Sequence, residues 1–64
     1  MNYEENDFFS IKELQNILGI GKNTAYKLTQ IKGFPKIQIG NKIIIPKNQF
    51  NKWIENNIGN KINI

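Results

Sequence analysis

The chain has 64 residues, 39% of them hydrophobic and 22% charged, with no cysteine and no histidine. A domain of this size buries only about 60% of the surface its unfolded chain exposes, and its Ile, Leu and Phe content is that of a globular rather than a disordered chain. Disulfides, thiolate chemistry, zinc fingers and histidine-based triads are excluded by composition. No metal and no cofactor is expected, and five scattered acids offer no acid/base pair or nucleophile, so the chain does not read as an enzyme. No apolar run approaches the roughly 18 residues of a membrane span. The acidic start Glu4, Glu5, Asp7 is unlike a signal peptide, and a reducing cytoplasm suits the composition.

Nine lysines against five acids give +4, and the two signs are segregated. Glu4, Glu5, Asp7 and Glu13 lie at the front and Glu55 near the end. Between Leu14 and Ile54 stand Lys22, Lys27, Lys32, Lys36, Lys42, Lys47 and Lys52, with no acid among them. Such a basic stretch attracts polyanions; the alternative is a solvated lysine-rich surface. Without arginine, phosphate contacts would be point charges rather than bidentate forks.

In chain order, residues 1–7 are polar and expected to be flexible. Ser10-Ile11-Lys12-Glu13 has the form of a capping box, in which the Ser10 hydroxyl accepts from the Glu13 N–H and Glu13 reaches back. Ile11, Leu14, Ile17 and Leu18 then follow helical spacing, and Gly19 ends the helix in a left-handed conformation. A second helix is predicted over 22–30. Ala25 and Leu28 lie on one side, and Asn23, Tyr26, Lys27 and Gln30 recur at i, i+3, i+4, i+7 on the other, with Lys22 beside them. Gly33-Phe34-Pro35 closes this region, because proline cannot continue a helix and extends the residue before it.

Residues 36–39 and 43–45 are β-rich runs flanking Gly40-Asn41-Lys42, which reads as a hairpin. A two-residue Gly40-Asn41 loop sets Ile39 opposite Lys42. A three-residue loop sets Ile39 opposite Ile43 and Ile37 opposite Ile45, gathering four isoleucines on one face. Core burial favours the second register, with Lys36, Gln38 and Ile44 outward and Asn41 and Lys42 at the tip. Pro46 breaks the strand and suits a helix start. Phe50, Trp53 and Ile54 form an apolar stripe on a last helix over 47–57, with Trp53 in the core. Residues 60–64 carry no capping or periodic signal. The organisation is thus a flexible 1–7, a domain over 8–57 and a flexible tail over 58–64.

The order helix, tight turn, helix, hairpin, helix is that of a small α+β winged helix-turn-helix, whose second helix lies in a DNA major groove. Leu14 and Leu18 supply the first helix's core, Gly19 opens the turn, Ile20 plugs it, Ala25 is small where the helices cross and Leu28 closes the core.

Residues 9–14, 18–20, 23–28, 33–35, 37–40 and 50–54 (FSIKEL, LGI, NTAYKL, GFP, IQIG, FNKWI) resemble the excisionase-type winged helix-turn-helix family, which is related to the DNA-binding domains of MerR-type regulators. The resemblance covers about residues 8–54. It implies a second helix in the major groove and a hairpin wing on the adjacent backbone or minor groove. Gln15 stands where the family usually has Ala, implying a slightly wider helix crossing, and Lys stands where the family usually has Arg.

Roles follow from the chemistry of the groove. Asn23 can pair with the N6/N7 edge of adenine, and Lys22 and Lys27 can reach guanine acceptors or phosphate. Thr24 suits a thymine methyl, a phosphate or the helix start; Tyr26 suits a phosphate or packing on the domain. Gln30 completes the polar face, and Gln38, Asn41 and Lys42 are the wing candidates. Lys47 and Lys52 are expected to be solvated or weak phosphate contacts. The leading function is an excisionase, or recombination directionality factor: it would bind double-stranded DNA at repeated sites, bend it and help a site-specific integrase excise a mobile element. At this length nothing is left over for an effector domain or a dimerising coiled coil. The alternatives are a small transcriptional regulator of a prophage or mobile element, and a protein-interaction module on the same scaffold. Self-association on adjacent sites, no membrane contact and a cytoplasmic, nucleoid-associated location are expected.

Overall fold

Ser10 opens the first helix through both halves of its capping box. Its Oγ accepts from the Glu13 N–H at 3.1 Å, and the Glu13 carboxylate accepts from the Ser10 N–H at 3.0 Å. The computed structural model describes residues 2–64. After a single 3-10 turn (Glu5–Asp7) the elements are β1 (Phe8–Phe9), α1 (Ile11–Leu18), α2 (Lys22–Thr29), β2 (Ile37–Ile39), β3 (Lys42–Pro46) and α3 (Lys47–Asn56). Three α-helices and a three-stranded antiparallel sheet of order β1-β3-β2 make the predicted α+β winged helix-turn-helix.

The turn between α1 and α2 depends on Gly19, at φ +65 with nothing within 4 Å of a hypothetical Cβ. Glycine is therefore required by the left-handed backbone and not by crowding. Both the Gly19 and Ile20 N–H groups donate to the Gln15 carbonyl, which closes the end of α1. Ile17, expected on the apolar face of α1, is 48% exposed. It sits at the flank of the stripe that Ile11, Leu14 and Leu18 turn to the core.

The hairpin corrects the predicted register. The strands pair Ile39 with Lys42, Gln38 with Ile43 and Ile37 with Ile44, across a two-residue Gly40-Asn41 turn. Gly40 takes φ +59 while Asn41 keeps a negative φ, the sign pattern of a type II′ turn, whose twist matches that of the flanking strands. Turn chemistry thus prevails over the burial argument. Ile43 and Ile45 point to the core, Ile37 and Ile39 lie on the opposite face, and the four isoleucines are not gathered on one side. Gln38 shares the side of Ile43 rather than facing away from it, yet is exposed, and Lys36 is half-buried; Ile44 points to the outer face as expected, where it is half-buried.

Phe8–Phe9 adds a third strand, pairing Phe8 with Pro46 and Phe9 with Ile45. The core is Leu14 of α1, Ala25 and Leu28 of α2, Phe34 of the connection, Ile43 and Ile45 of β3 and Phe50 of α3, with Phe9, Ile20 and Trp53 among the partly buried residues packed on it. Phe9 meets Phe50 and Phe34 meets Trp53 edge to face, at 5.5 and 4.9 Å between centroids, while Phe50 and Trp53 lie nearly parallel at 6.3 Å; ring quadrupoles favour edge-to-face and offset arrangements of this kind. Thr29 is buried, and its hydroxyl donates to the Tyr26 carbonyl at 2.8 Å. A polar group is thereby carried into the core at little cost.

Candidate nucleic-acid interface

The second helix divides cleanly into two sides. Ala25, Leu28 and Thr29 are buried. At 3.6 residues per turn, Asn23, Tyr26, Lys27 and Gln30 fall within an arc of about 100° on the opposite side, with Lys22 and Thr24 at its flanks. All six are exposed. Tyr26 is 39% exposed, so its ring lies part-way along the surface with the hydroxyl free to reach outward. Among the described residues none of these six side chains makes a hydrogen bond. Their donors and acceptors are thus available to a partner without breaking an internal contact.

The helix is about 12 Å long, comparable with the width of a DNA major groove. Its first turn holds no acid, and Gly21 provides no side-chain cap. The N–H groups there and the positive end of the helix dipole are left open toward an anion. The packing behind it is firm: Ala25 is fully buried at the crossing with α1, and Leu28 and Phe34 fill the space below. The polar face is therefore presented on a rigid support.

The wing residues form a separate group. Asn41 and Lys42 stand exposed at the hairpin tip, and Gln38 is exposed with its Nε2 donating to the Gly40 carbonyl at 3.3 Å. That bond stiffens the turn and leaves the Gln38 carbonyl oxygen free. The hairpin, like α2, is an independent projection from the core, and the two groups do not touch through side-chain hydrogen bonds. Lys47 departs from its expected solvated state: its ammonium lies 5.2 Å from the centroid of the Phe9 ring, a cation–π contact that holds it in the fold. Lys52 is exposed on α3.

The sequence profile of a family described as "Helix-turn-helix domain" matches residues 8–58. The chain belongs to that family. The helix-turn-helix domain family is a DNA-binding one that includes excisionase-like proteins, and it is typically non-enzymatic. Membership supports sequence-specific DNA binding, with DNA as partner. No curated protein and no solved structure matches the chain. Among the described residues of this helix-turn-helix domain, no helix is long and apolar enough to cross a membrane.

Proposed function

We propose that this helix-turn-helix domain is an excisionase. It lays α2 in the major groove of double-stranded DNA, sets the β2–β3 wing on the flanking backbone or minor groove, bends the duplex and assists a site-specific integrase in excising a mobile element. The observation that carries the DNA-binding part is the outward face of α2, six exposed polar side chains with no acid and no internal partner. Asn23 reads an adenine edge; Lys22 and Lys27 reach guanine acceptors or phosphate. Thr24 contacts a thymine methyl or a phosphate, and Tyr26 donates to a phosphate. Gln30 extends the polar face, while Gln38, Asn41 and Lys42 hold the backbone beside the wing. The excisionase assignment rests on the family resemblance described above. A single copy with this few contacts binds weakly, so neighbouring copies occupy adjacent sites. In this role the protein would act in the cytoplasm, on the nucleoid.

A footprint on DNA flanking the protein's own gene, followed by an excision assay with the neighbouring integrase in the presence and absence of the protein, tests the proposal. Excision that rises with the protein supports it. Specific binding at a promoter with no effect on excision reassigns the domain as a transcriptional regulator. Absence of a mobility shift on AT-rich duplexes at low salt would point instead to a protein-interaction module.

A further inference from the structure

A groove lies between the connection that follows α2 and the helix α3, lined by Gly33, Pro35, Gln49, Lys52, Trp53 and Asn56. The four α3 residues stand at i, i+3, i+4 and i+7, so they share one arc of about 100° on that helix. Trp53 and Pro35 form the apolar part of the groove and are half-buried. The Trp53 ring is held edge to face on the buried Phe34 ring, at 4.9 Å between centroids. Gly33, at φ +90, adds no side chain. No residue of α2, of the hairpin or of the segment after Asn56 lines the groove.

The polar groups around it are an ammonium, an indole N–H and two amides. Among the described residues, the side chains of Gln49, Lys52, Trp53 and Asn56 make no hydrogen bond. No buried side-chain nitrogen among them lacks a partner, so the unpaired indole N–H reaches solvent. Lys52 is the one charged residue of the lining, and Lys32 and Lys36 adjoin the lining residues Gly33 and Pro35 in the chain. The one acid of α3, Glu55, lies about 60° around the helix from Lys52, on the side away from Gln49, Trp53 and Asn56. Gln49 also borders the groove beside Tyr3, but neither groove is lined by an acid of the N-terminal segment.

We propose that this groove docks a short acidic segment of a partner protein, with an apolar side chain against Trp53 and Pro35 and a neighbouring carboxylate on Lys52 and the indole N–H. Charge complementarity selects the acidic occupant: the lining holds a cation and no anion. The apolar part selects a peptide over a DNA phosphate, because burying an apolar side chain there is favourable and a phosphate has none to bury. A tryptophan fixed by packing and flanked by a cation is also the kind of anchor that carries binding energy at protein interfaces. The groove shares no residue with the proposed DNA contacts, so duplex and peptide engage different parts of the domain. The inference stands independently of the DNA-binding reading.

Trp53 is the single tryptophan of the chain, so its indole N–H gives one nitrogen-15 correlation peak that reports on the groove. The test titrates the labelled full chain, without DNA, with a blocked peptide of alternating glutamate and leucine and with its glutamine–leucine counterpart. The acidic peptide moves the indole peak with a Kd below about 1 mM, the scale of a small exposed site. The glutamine peptide binds at least about threefold more weakly, and Lys52→Gln weakens the acidic peptide by a similar factor, as expected for an exposed charge pair. Lys52 is exposed on α3, so this variant keeps the parent's circular dichroism melt. An indole peak unmoved by the acidic peptide, equal binding of the two peptides, or a Lys52→Gln variant that binds like the parent overturns the proposal. A parallel titration with duplex DNA separates the two readings. An indole peak that moves with duplex and not with peptide assigns the groove to the DNA backbone and overturns the docking proposal alone. Peptide binding without any duplex binding overturns the DNA reading alone.

Discussion

Replacing Lys27 with alanine probes the orientation of α2 on DNA. Three lysines, Lys22, Lys27 and Lys42, are exposed on the proposed contact elements, whereas Lys47 is engaged with Phe9 and Lys36 is half-buried. With each neutralised phosphate adding about 0.9 to the slope of log affinity against log salt, three contacts give a slope of about −2.7. Raising salt from about 50 to about 200 mM then weakens binding about 40-fold, and Lys27→Ala reduces this to about 12-fold by removing one contact. Fluorescence anisotropy of a labelled duplex carrying the footprinted site, titrated at several salt concentrations, reads both the affinity and the slope. Asn23→Ala serves as the contrasting variant. A base-reading amide carries no charge, so its loss leaves the slope unchanged while lowering discrimination at one adenine position by about five- to 150-fold, the equivalent of 1–3 kcal/mol. If Lys22→Ala and Lys27→Ala both kept the parent affinity and slope, α2 would not face the duplex and the assignment would fail.

Stability should respond at equally specific points. Ser10→Ala removes one half of the capping box and costs about 1 kcal/mol, lowering Tm by about 4–8 °C in a domain this small; an unshifted melt would mean the box contributes nothing. At Gly19 the space around the backbone is open, so Gly19→Ala pays only for the left-handed conformation, about 1–2 kcal/mol, measurable by urea denaturation. Ile45 is fully buried, and Ile45→Ala should cost about 2–5 kcal/mol. That is comparable with the whole stability of a domain of this length, roughly 3–5 kcal/mol, so the far-UV circular dichroism at 25 °C should show substantial unfolding. A fully folded variant would show that the core is larger than this sheet and these helices provide.

Most of α2 was legible in the residues alone. Its polar and apolar positions are separated by i, i+3 and i+4 spacing, and the buried set Ala25 and Leu28 and the exposed set Asn23, Tyr26, Lys27 and Gln30 fall where that spacing puts them. The wing was legible only as a hairpin. Which way Gln38 and Lys42 face depends on register, and register was decided by the two-residue turn at Gly40-Asn41 rather than by the gathering of isoleucines. The burial of Thr29 was not anticipated either: its hydroxyl is satisfied by a carbonyl of its own helix, which hides a polar residue among apolar ones.

From the sequence by itself came the features whose causes lie within one turn of the chain: the Ser10–Glu13 cap, the glycine stop at position 19, the two-sided second helix and the aromatic stripe of α3. Tertiary structure alone decided the pairing of Phe8 with Pro46 and Phe9 with Ile45, the apolar outer face that the hairpin register creates, and the seating of Lys47 over Phe9. A two-residue strand has no periodicity to read, and it exists because β3, more than thirty residues further along the chain, supplies its hydrogen-bond partners.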